Sequence, residues 1–425
     1  MEHRIIRRAE ILSVGTELLI GDIVNTNAAY LSRRLAALGI GVYRQSVVGD
    51  NPARLAEDLA AALSRADLVV TTGGLGPTRD DLTKETAAQL LGLPMELHQT
   101  SLDRIAAYFA ATGRTMTENN RKQALMPVGA TVFPNDYGTA PALALESAEG
   151  KLLILLPGPP RELEPLFAEQ VEPFLSRRTE AVLFSRNIHI AGMGESAVES
   201  VLPASLLSCK NPTVAPYCEA GEVRLRVTAR AADRESAAAL CDAVVEEIKS
   251  TPVAPYIYGI DVPSPEAALI ALLCERGLTV ATAESCTGGL IAKRLTDVSG
   301  ASAAVAGGAV TYQTREKTRI LGVPADLIER CDVVSAEVAR AMAEGARRAL
   351  DTDIAIATTG FAGPGGGNER DPVGTVYIAV ATENGCFSHR LSLSPRRDRA
   401  YIRTVAATHA LLDAYGVLCG TLSCK

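Results

Sequence analysis

Short β-rich apolar runs alternate with helical segments along most of this chain, and this alternation constrains its fold more than any other feature. In the first zone, the apolar runs lie at 9–14, 67–72 and 151–156. The helical segments lie at 26–38, 52–64 and 159–170. Strands that alternate with helices in this way pair in parallel, because each helix carries the chain back across the sheet. The pattern predicts an α/β domain whose strands end in glycine-rich loops.

Two further zones follow the first. Residues 222–229 alternate strictly between charged and apolar side chains, which predicts a half-buried strand whose apolar face is covered by a helix at 233–249. The proline-rich stretch 251–265 is interpreted as a linker, because proline lacks a backbone donor and blocks helix continuation. The last zone again alternates apolar runs with helices. We expect an N-terminal α/β domain, a small α+β connector and a C-terminal α/β domain, at 1–173, 174–255 and 262–420.

Length and charge exclude several classes of protein. The 425 residues correspond to about three domains of roughly 150 residues each. The net charge of −7 disfavours nucleic-acid binding, which usually needs a basic excess. The nine cysteines form no C-x-x-C pair, the start of the chain is charged, and no apolar run approaches the ~20 residues that cross a bilayer. We expect a cytoplasmic protein with reduced thiols and no membrane span.

A glycine-rich loop, Thr72-Gly73-Gly74-Leu75-Gly76, follows the apolar run at 67–72. Glycines let backbone amides approach an anion such as phosphate, although the same loop can be only a tight turn. No Walker A lysine follows the loop, which disfavours a P-loop enzyme. Asp81 lies just past the loop, where a carboxylate can bind a divalent cation that bridges phosphates. The alternative for Asp80 and Asp81 is capping of the next helix.

Other polar side chains lie in or near strand-to-helix loops of the same domain. Sites in α/β proteins usually open at the carboxyl edge of the sheet, so these side chains are expected to converge there. They are Glu17, Asp22, Asn25, Asn27 and Asp50.

In the last zone, Ser285 lies between an apolar run and a predicted helix at 287–296, so that amides from Cys286 onward can stabilise an oxyanion. A nucleophilic serine needs a base. His389 and His409 belong to this domain but not to strand-end loops, which leaves a Ser-His-Asp triad little support. Lys317 is the alternative base if burial lowers its pKa from about 10.4.

Three alternatives stay open from spacing alone. Ser285 can simply cap the following helix, and Lys317 can be a solvated helix residue. Cys286 is a rival nucleophile, since a helix N-terminus lowers the pKa of a thiol.

Several N-terminal segments together carry a resemblance to a known family: Gly15-Thr16-Glu17-Leu18-Leu19, the loop at 71–83 and Leu156-Pro157-Gly158-Pro159-Pro160-Arg161-Glu162. They resemble the front domain of the competence/damage-inducible protein A (CinA) family, and the likeness covers nearly the whole chain. It implies a MoaB/MogA-like three-layer α/β/α domain followed by a KH-like connector. The connector lacks the G-X-X-G loop of RNA-clamping KH domains, so it is interpreted as architectural.

For the N-terminal domain, the resemblance implies a metal-dependent pyrophosphatase that cleaves ADP-ribose. The cofactor would be divalent Mg, Mn or Co, with Asp81 and Asp50 as its ligands. The substrate would be bound by Thr72, Gly73, Gly74, Gly76, Asn25, Asn27 and Glu17.

The C-terminal zone resembles the nicotinamide-nucleotide amidase family (PncC), through segments 284–289, 307–323, 358–367, 372–380 and 397–403. The resemblance implies hydrolysis of nicotinamide mononucleotide to nicotinate mononucleotide and ammonia, through an acyl-enzyme and without a metal cofactor. Ser285 would be the nucleophile and Lys317 the general base, with Tyr312 orienting groups or relaying the proton. The remaining implied contacts are Thr359 and Gly360 at the reaction centre, Arg399 on the substrate phosphate, and Cys286, Thr287, Gly288 and Gly289 in the turn.

Two rival functions remain at this level. The chain can be a non-enzymatic partner in DNA uptake, as the family's name implies, or a molybdopterin-binding protein with a passive C-terminal domain. The resemblance also implies a homodimer whose ligands are small nucleotides.

Overall fold

A computed structural model describes residues 4–424, which form two compact units. The first contains the chain up to Phe184 together with Ala229–Ala239, and the second contains Ser185–Thr228 together with the chain from Leu240 onward. The first three residues of the charged start lie outside the described part. Among the residues that are described, no helix is both long and apolar enough to cross a bilayer.

The N-terminal domain is built on a six-stranded sheet. The strands of this domain are β1 (Arg8–Val14), β2 (Gly41–Val48), β3 (Leu68–Thr72), β4 (Met95–Leu97), β5 (Leu125–Pro127), β6 (Thr131–Phe133), β7 (Ala142–Glu146) and β8 (Leu152–Leu156). The sheet order is β2-β1-β3-β8-β7-β6, and β4 pairs separately with β5. The first four strands of the sheet are parallel, and β7 and β6 add antiparallel pairs at one edge.

Helices cover both faces of this sheet. They are α1 (Thr16–Leu19), α2 (Thr26–Ala37), α3 (Pro52–Arg65), α4 (Thr83–Leu91), α5 (Gln99–Ala111), α6 (Glu118–Arg121), α7 (Pro160–Leu166) and α8 (Glu172–Ser176), with a π-helical turn at Phe167–Val171. One apolar cluster joins Leu31 of α2 to Ile154 of the sheet, and a second joins Leu59 of α3 to Leu153. Because neighbouring residues of a strand face opposite sides, these two clusters are two separate cores. The expected three-layer α/β/α architecture is confirmed.

The connector is a four-stranded sheet with helices. Its elements are β9 (Val182–Ile190), β10 (Thr213–Glu219), β11 (Glu222–Ala231), β12 (Ile257–Ile260), α9 (Glu195–Val201), α10 (Ala204–Ser208) and α11 (Arg234–Lys249). The strand order is β10-β11-β9-β12, and burial alternates along β11 as its charge pattern predicts.

The interpretation of 251–265 as a linker is wrong. Within it, β12 pairs antiparallel with β9 as the edge strand of the connector sheet. The prolines at 252, 255, 263 and 265 flank the strand rather than interrupt it, and an edge position tolerates nearby prolines. The connector sheet therefore extends past the predicted boundary at 255.

The C-terminal domain is a second three-layer α/β domain. Its strands and helices are β13 (Val280–Glu284), β14 (Val305–Val310), β15 (Ile354–Gly360), β16 (Thr375–Thr382), β17 (Gly385–Ser392), α12 (Pro265–Arg276), α13 (Leu290–Thr296), α14 (Thr314–Leu321), α15 (Ala325–Cys331), α16 (Ala336–Ala349) and α17 (Arg399–Cys419). The sheet order is β14-β13-β15-β16-β17, with β14, β13 and β15 parallel. One core packs α12, α13 and α17 on the sheet, and the other packs α14 and α16 on its opposite face. The carboxyl ends of β13 and β15 therefore share one edge.

The glycine that follows β3 provides a test of this fold. Gly73 has a φ of 101°, and a Cβ there would lie 2.2 Å from the carbonyl oxygen of Val14 at the end of β1. We expect Gly73→Ala to lower the free energy of unfolding by about 2 kcal/mol or more, since φ strain and a backbone clash add. Gly92→Ala is the matched control, because Gly92 has a φ of 67° but a Cβ there would have no atom within 4 Å among the described residues. Its free energy of unfolding should therefore fall by only about 1 kcal/mol. Urea unfolding followed by circular dichroism measures both, and equal losses would contradict the clash.

Candidate functional site

Ser285 lies directly after β13, at the carboxyl edge of the C-terminal sheet. Its backbone N–H donates to the carbonyl oxygen of Thr358 in β15 at 3.0 Å, which continues the pairing of the two parallel strands by one residue. The chain then turns sharply through two glycines, Gly288 and Gly289, with φ of 61° and 91°. The serine is thus fixed at the point where the strand becomes a turn.

Lys317 reaches Ser285 from α14. Its Nζ donates to Ser285 Oγ at 2.9 Å and to the carbonyl oxygen of Thr311 at 2.7 Å. The lysine is only 1% exposed, and burial lowers its pKa to about 8 because an ammonium ion loses its hydration there. The alternative of a solvated helix residue is wrong. The structure brings together the serine and the amine that the sequence singles out.

The turn after Ser285 contains both occupied and free backbone donors. Gly288 N–H donates to the Ser285 carbonyl, Leu290 N–H donates to the Thr287 carbonyl, and Gly289 N–H donates to a carboxylate. Within residues 4–424, the amides of Cys286 and Thr287 donate to no oxygen atom, and the acceptor near them is the thiol of Cys286, which is a weak one. Of the four turn residues predicted to bind substrate, these two can therefore offer a backbone N–H to an oxyanion.

Glu284, which the sequence reasoning missed, supplies that carboxylate. It is the last residue of β13, it is fully buried, and it accepts hydrogen bonds from the amides of Gly289, Ile291 and Ala292. The alternative in which Ser285 caps the helix is wrong, because α13 begins only at Leu290 and its amides at Ile291 and Ala292 bind Glu284. A single acidic residue ending an apolar strand was the signal in the sequence.

Cys286 is a poor rival nucleophile. The residue is 5% exposed, and burial raises the pKa of its thiol to about 12. The expectation that a helix N-terminus lowers this pKa is wrong, because the loss of solvent outweighs the nearby backbone N–H groups.

Tyr312 and Arg399 lie together at the exposed side of the site. The Arg399 guanidinium donates to the hydroxyl of Tyr312 and, through Nη1, to the carbonyl oxygen of Gly363 at 2.7 Å. Among the described residues, no hydrogen bond joins the Tyr312 hydroxyl to Ser285 or Lys317. The structure therefore places Tyr312 beside the predicted phosphate-binding arginine, where it can orient that side chain, and its part in a proton relay stays a prediction.

Thr359 and Gly360 have structural partners of their own. The Thr359 hydroxyl donates to the carbonyl oxygen of Val333 at 2.9 Å, whereas that of its neighbour Thr358 pairs with the hydroxyl of Thr287. Gly360 is required by close packing, since a Cβ there would lie 2.6 Å from the carbonyl oxygen of Thr375. Thr358, rather than Thr359, contacts the turn.

Arg403 is a second residue that the sequence reasoning missed. It lies one helical turn after Arg399, and its Nη2 donates to the Thr287 carbonyl at 2.6 Å, while its Nε is buried without a partner. The two histidines of this domain lie elsewhere: His389 in β17 pairs with Asp413 at 3.0 Å, and His409 lies in α17.

The N-terminal domain contains a cavity of about 590 Å³ at the carboxyl edge of its sheet. Asn27 spans the floor of this cavity, donating to Thr72 Oγ1 at 2.9 Å and to the Gly158 carbonyl at 2.7 Å. Asn25 caps α2 and donates to Ser13 Oγ. Asp22, which was expected at the same edge of the sheet, is not among the residues that line the cavity. Nine other residues predicted for this site do line it: Glu17, Asn25, Asn27, Asp50, Thr72, Gly73, Gly74, Gly76 and Asp81.

The two predicted metal ligands are already hydrogen-bonded. Asp81 Oδ2 accepts from the N–H and hydroxyl of Thr78, and Asp50 Oδ2 accepts from the N–H and hydroxyl of Thr16. The helix-capping alternative is wrong for Asp81, since α4 begins after Leu82 without a side-chain cap. In the described part of the chain, no three His, Cys, Asp or Glu side chains form a metal-binding group. These carboxylates fit a divalent ion that brings phosphate and water ligands, as Mg²⁺ usually does, and not an all-protein cage.

Two further residues shape this cavity. Glu162 lines it and accepts from Asn135 Nδ2 at 2.7 Å, and burial raises the pKa of its carboxyl. Lys122 donates from Nζ to the carbonyls of Thr78 and Asp81, which fixes the acidic loop. Arg79 and Arg161, which belong to the loop at 71–83 and to the segment 156–162, are exposed and are not among the lining residues.

Three family models match this chain in succession. They are described as a probable molybdopterin binding domain at residues 10–177, a damage-inducible protein CinA KH domain at 185–259 and a CinA C-terminal domain at 263–417.

Curated relatives match over almost the full length. A "CinA-like protein" of Dictyoglomus turgidum is 47% identical over 397 residues, covering 93% of this chain and 96% of its own. A "putative competence-damage inducible protein" of Symbiobacterium thermophilum is 46% identical, covering 97% and 99%. A solved CinA protein of unknown function from Thermoplasma acidophilum is 36% identical, covering 40% of this chain and 98% of its own at a TM-score of 0.37. The chain therefore belongs to the CinA family, as a protein that joins a molybdopterin-binding-like domain, a KH-like connector and an amidase-like C-terminal domain.

Proposed function

We propose that the C-terminal domain hydrolyses the carboxamide of nicotinamide mononucleotide, releasing ammonia and nicotinate mononucleotide. The observation that carries the proposal is the 2.9 Å contact between the buried amine of Lys317 and Ser285 Oγ. A lysine whose pKa is about 8 is partly neutral near neutral pH, so it can take a proton from the serine hydroxyl.

The proposed reaction proceeds in two halves. Ser285 Oγ attacks the carboxamide carbon as its proton moves to Lys317 Nζ, and the free amides of Cys286 and Thr287 stabilise the oxyanion. The C–N bond then breaks, Lys317 returns the proton to the leaving nitrogen, and ammonia departs from a serine ester. In the second half, water attacks the ester while Lys317 takes its proton. Ser285 is regenerated when Lys317 returns that proton to Ser285 Oγ as the bond to the acyl carbon breaks and the acid leaves.

Arg399 is proposed to bind the phosphate of this substrate. Its guanidinium is exposed at the side of the site and is oriented by Gly363 and Tyr312. A guanidinium fork suits the paired oxygens of a phosphate. Tyr312 then acts as a contact of the phosphate-binding side.

Removal of either member of the Ser285–Lys317 pair tests the proposal. Ser285→Ala and Lys317→Met are expected to lower ammonia release from nicotinamide mononucleotide by about 10³-fold or more, because the nucleophile or its base is lost. Lys84→Met is the matched control, since Lys84 is a second buried lysine whose pKa is lowered to about 8, in the other domain. Its variant should keep the rate. An inactive intact chain would reject the amidase function, and full activity of Lys317→Met would reject the base.

The pH dependence follows from the same amine. The neutral form of Lys317 is the base, so kcat/KM should rise about tenfold per pH unit below 8 and level off above it. The midpoint is expected near 8, the pKa that burial gives this lysine. Initial rates from pH 6 to 9.5 measure the profile, and a flat profile over that range would contradict a lysine base.

We propose for the N-terminal domain a metal-dependent hydrolysis of the diphosphate of ADP-ribose. Support comes from the cavity, where a glycine loop faces the carboxylates of Asp50 and Asp81. These two carboxylates would hold a divalent ion, whose charge would be shared with the diphosphate oxygens. The amides of the glycine loop would bind the phosphates, and Lys122 keeps the acidic loop in place.

The N-terminal proposal is tested with Asp81→Asn and Thr78→Val. The first removes the charge of Asp81, and the second removes only the hydroxyl that donates to it. With Mg²⁺, Mn²⁺ or Co²⁺, Asp81→Asn should lower release of AMP from ADP-ribose by about 10²-fold or more, since ligand and charge are lost, whereas Thr78→Val should keep most of the rate. Equal losses would show that Asp81 only shapes the loop. No turnover by the intact chain with any of these ions would reject the activity.

A further inference from the structure

Glu284 is a buried carboxylate held by backbone amides and by no cation. Its Oε2 accepts from Gly289 N–H at 2.9 Å and from Ile291 N–H at 3.1 Å, and its Oε1 accepts from Ala292 N–H at 2.8 Å. The residue is 0% exposed, and none of the ion pairs found among residues 4–424 includes it. A carboxylate in such a place is stable only because these donors replace its hydration.

The position of these three amides shows how Glu284 fixes the turn after Ser285. They follow Ser285 in the turn and in the first residues of α13. A chain that turns back to bring three N–H groups onto the side chain of the preceding residue has little freedom left. The turn is held by two other elements as well, since Thr287 contacts Thr358 of β15 and Arg403 of α17.

The same hydrogen bonds decide which donors of the turn remain available. Glu284 occupies the amide of Gly289 and two amides at the start of α13, so an anion of the substrate finds no free donors there. Cys286 and Thr287, which lie next to the serine, have amides that donate to no oxygen atom of residues 4–424, and only the weakly accepting thiol of Cys286 is near them. Glu284 thus occupies the amides of Gly289, Ile291 and Ala292 and leaves those of Cys286 and Thr287 for a substrate oxygen.

We infer that Glu284 is a positioning residue of the amidase site, which fixes the Ser285 turn and leaves the amides of Cys286 and Thr287 as its oxyanion donors. The inference rests on the proposed function of the C-terminal domain. Glu284 acts through the turn and takes no proton in the reaction.

The test compares Glu284→Gln with Asp353→Asn in the full-length protein. Glutamine keeps the shape but points an N–H₂ group at amide donors. Asp353 is the matched control, because its carboxylate likewise accepts from a backbone N–H, that of Thr279, at the opposite end of β13. With nicotinamide mononucleotide, Glu284→Gln should lower kcat by about 10²-fold, the size of effect expected from a small misplacement of a reacting group, with KM changed less than about threefold. Asp353→Asn should lower the melting temperature with kcat nearly unchanged. Equal effects of the two variants on kcat and melting temperature would overturn the inference.

A second measurement needs no variant to fold. Backbone hydrogen exchange of the unmodified protein should be slow at Gly289, Ile291 and Ala292 and faster at Cys286 and Thr287. After Ser285 is labelled with a fluorophosphonate, whose oxygen mimics the oxyanion, exchange should slow at Cys286 and Thr287. Equal exchange at all five amides before labelling, or no slowing at 286 and 287 after it, would overturn the inference. If the intact chain is labelled and shows the exchange pattern but releases no ammonia, the proposed substrate fails while the role of Glu284 stands.

Discussion

The C-terminal site depends on an amine that is kept out of water. Lys317 is 1% exposed, and its amine contacts one hydroxyl and one carbonyl. A solvated lysine would hold its proton at neutral pH and could not assist Ser285. Lys317 is buried in α14, against the carboxyl edge of three parallel strands. This burial lowers the pKa of its amine, and the same packing sets the distance between the amine and the serine hydroxyl. The same lack of solvent raises the pKa of Cys286. One desolvated region therefore makes the amine of Lys317 easier to deprotonate and keeps the adjacent thiol protonated.

Burial of the site also removes water from its backbone N–H groups. Each N–H group withdrawn from water needs an acceptor, and the turn after Ser285 finds acceptors for four of its amides in Thr358, Ser285, Glu284 and Thr287. Among the described residues, the amides of Cys286 and Thr287 beside the nucleophile donate to no oxygen atom, and only the weakly accepting thiol of Cys286 lies near them. Donors without a strong acceptor are costly in a protein, and their concentration at one point is typical of a site whose ligand supplies the acceptor. The place of these two amides supports the proposed catalysis as much as the serine–lysine contact does.

The fold and the pairing of Ser285 with Lys317 could be predicted from the sequence, but the finer geometry could not. Alternation of apolar runs fixed both α/β domains, because strand period and helix period differ along the chain. The stretch 251–265 misled because proline marks both linkers and edge strands, and only the partner strand β9 distinguishes them. The partners of the Thr359 and Tyr312 hydroxyls could not be predicted for another reason. Neighbouring residues of a strand face opposite sides, so the hydroxyl of Thr359 donates to the carbonyl of Val333, and only packing shows that the hydroxyl of Tyr312 accepts from Arg399. Glu284 was missed because its role is visible only in the turn that folds back on it.

Both domains place a strand, a glycine turn and then a helix at the edge of a sheet. The two turns differ in where the chain's own carboxylates lie and in which backbone donors they occupy. In the N-terminal domain, the carboxylates of Asp50 and Asp81 line the cavity and accept from threonines, so they leave the amides of the glycine loop to the phosphates proposed to bind there. In the C-terminal domain, the carboxylate lies inside the turn and occupies the donors that an anion would use. In the proposed amidase reaction, the substrate phosphate would therefore bind a side chain, and the carbonyl oxygen would bind the amides that remain. If both proposed functions hold, the place of the chain's own carboxylate decides whether a glycine turn binds a phosphate or an oxyanion.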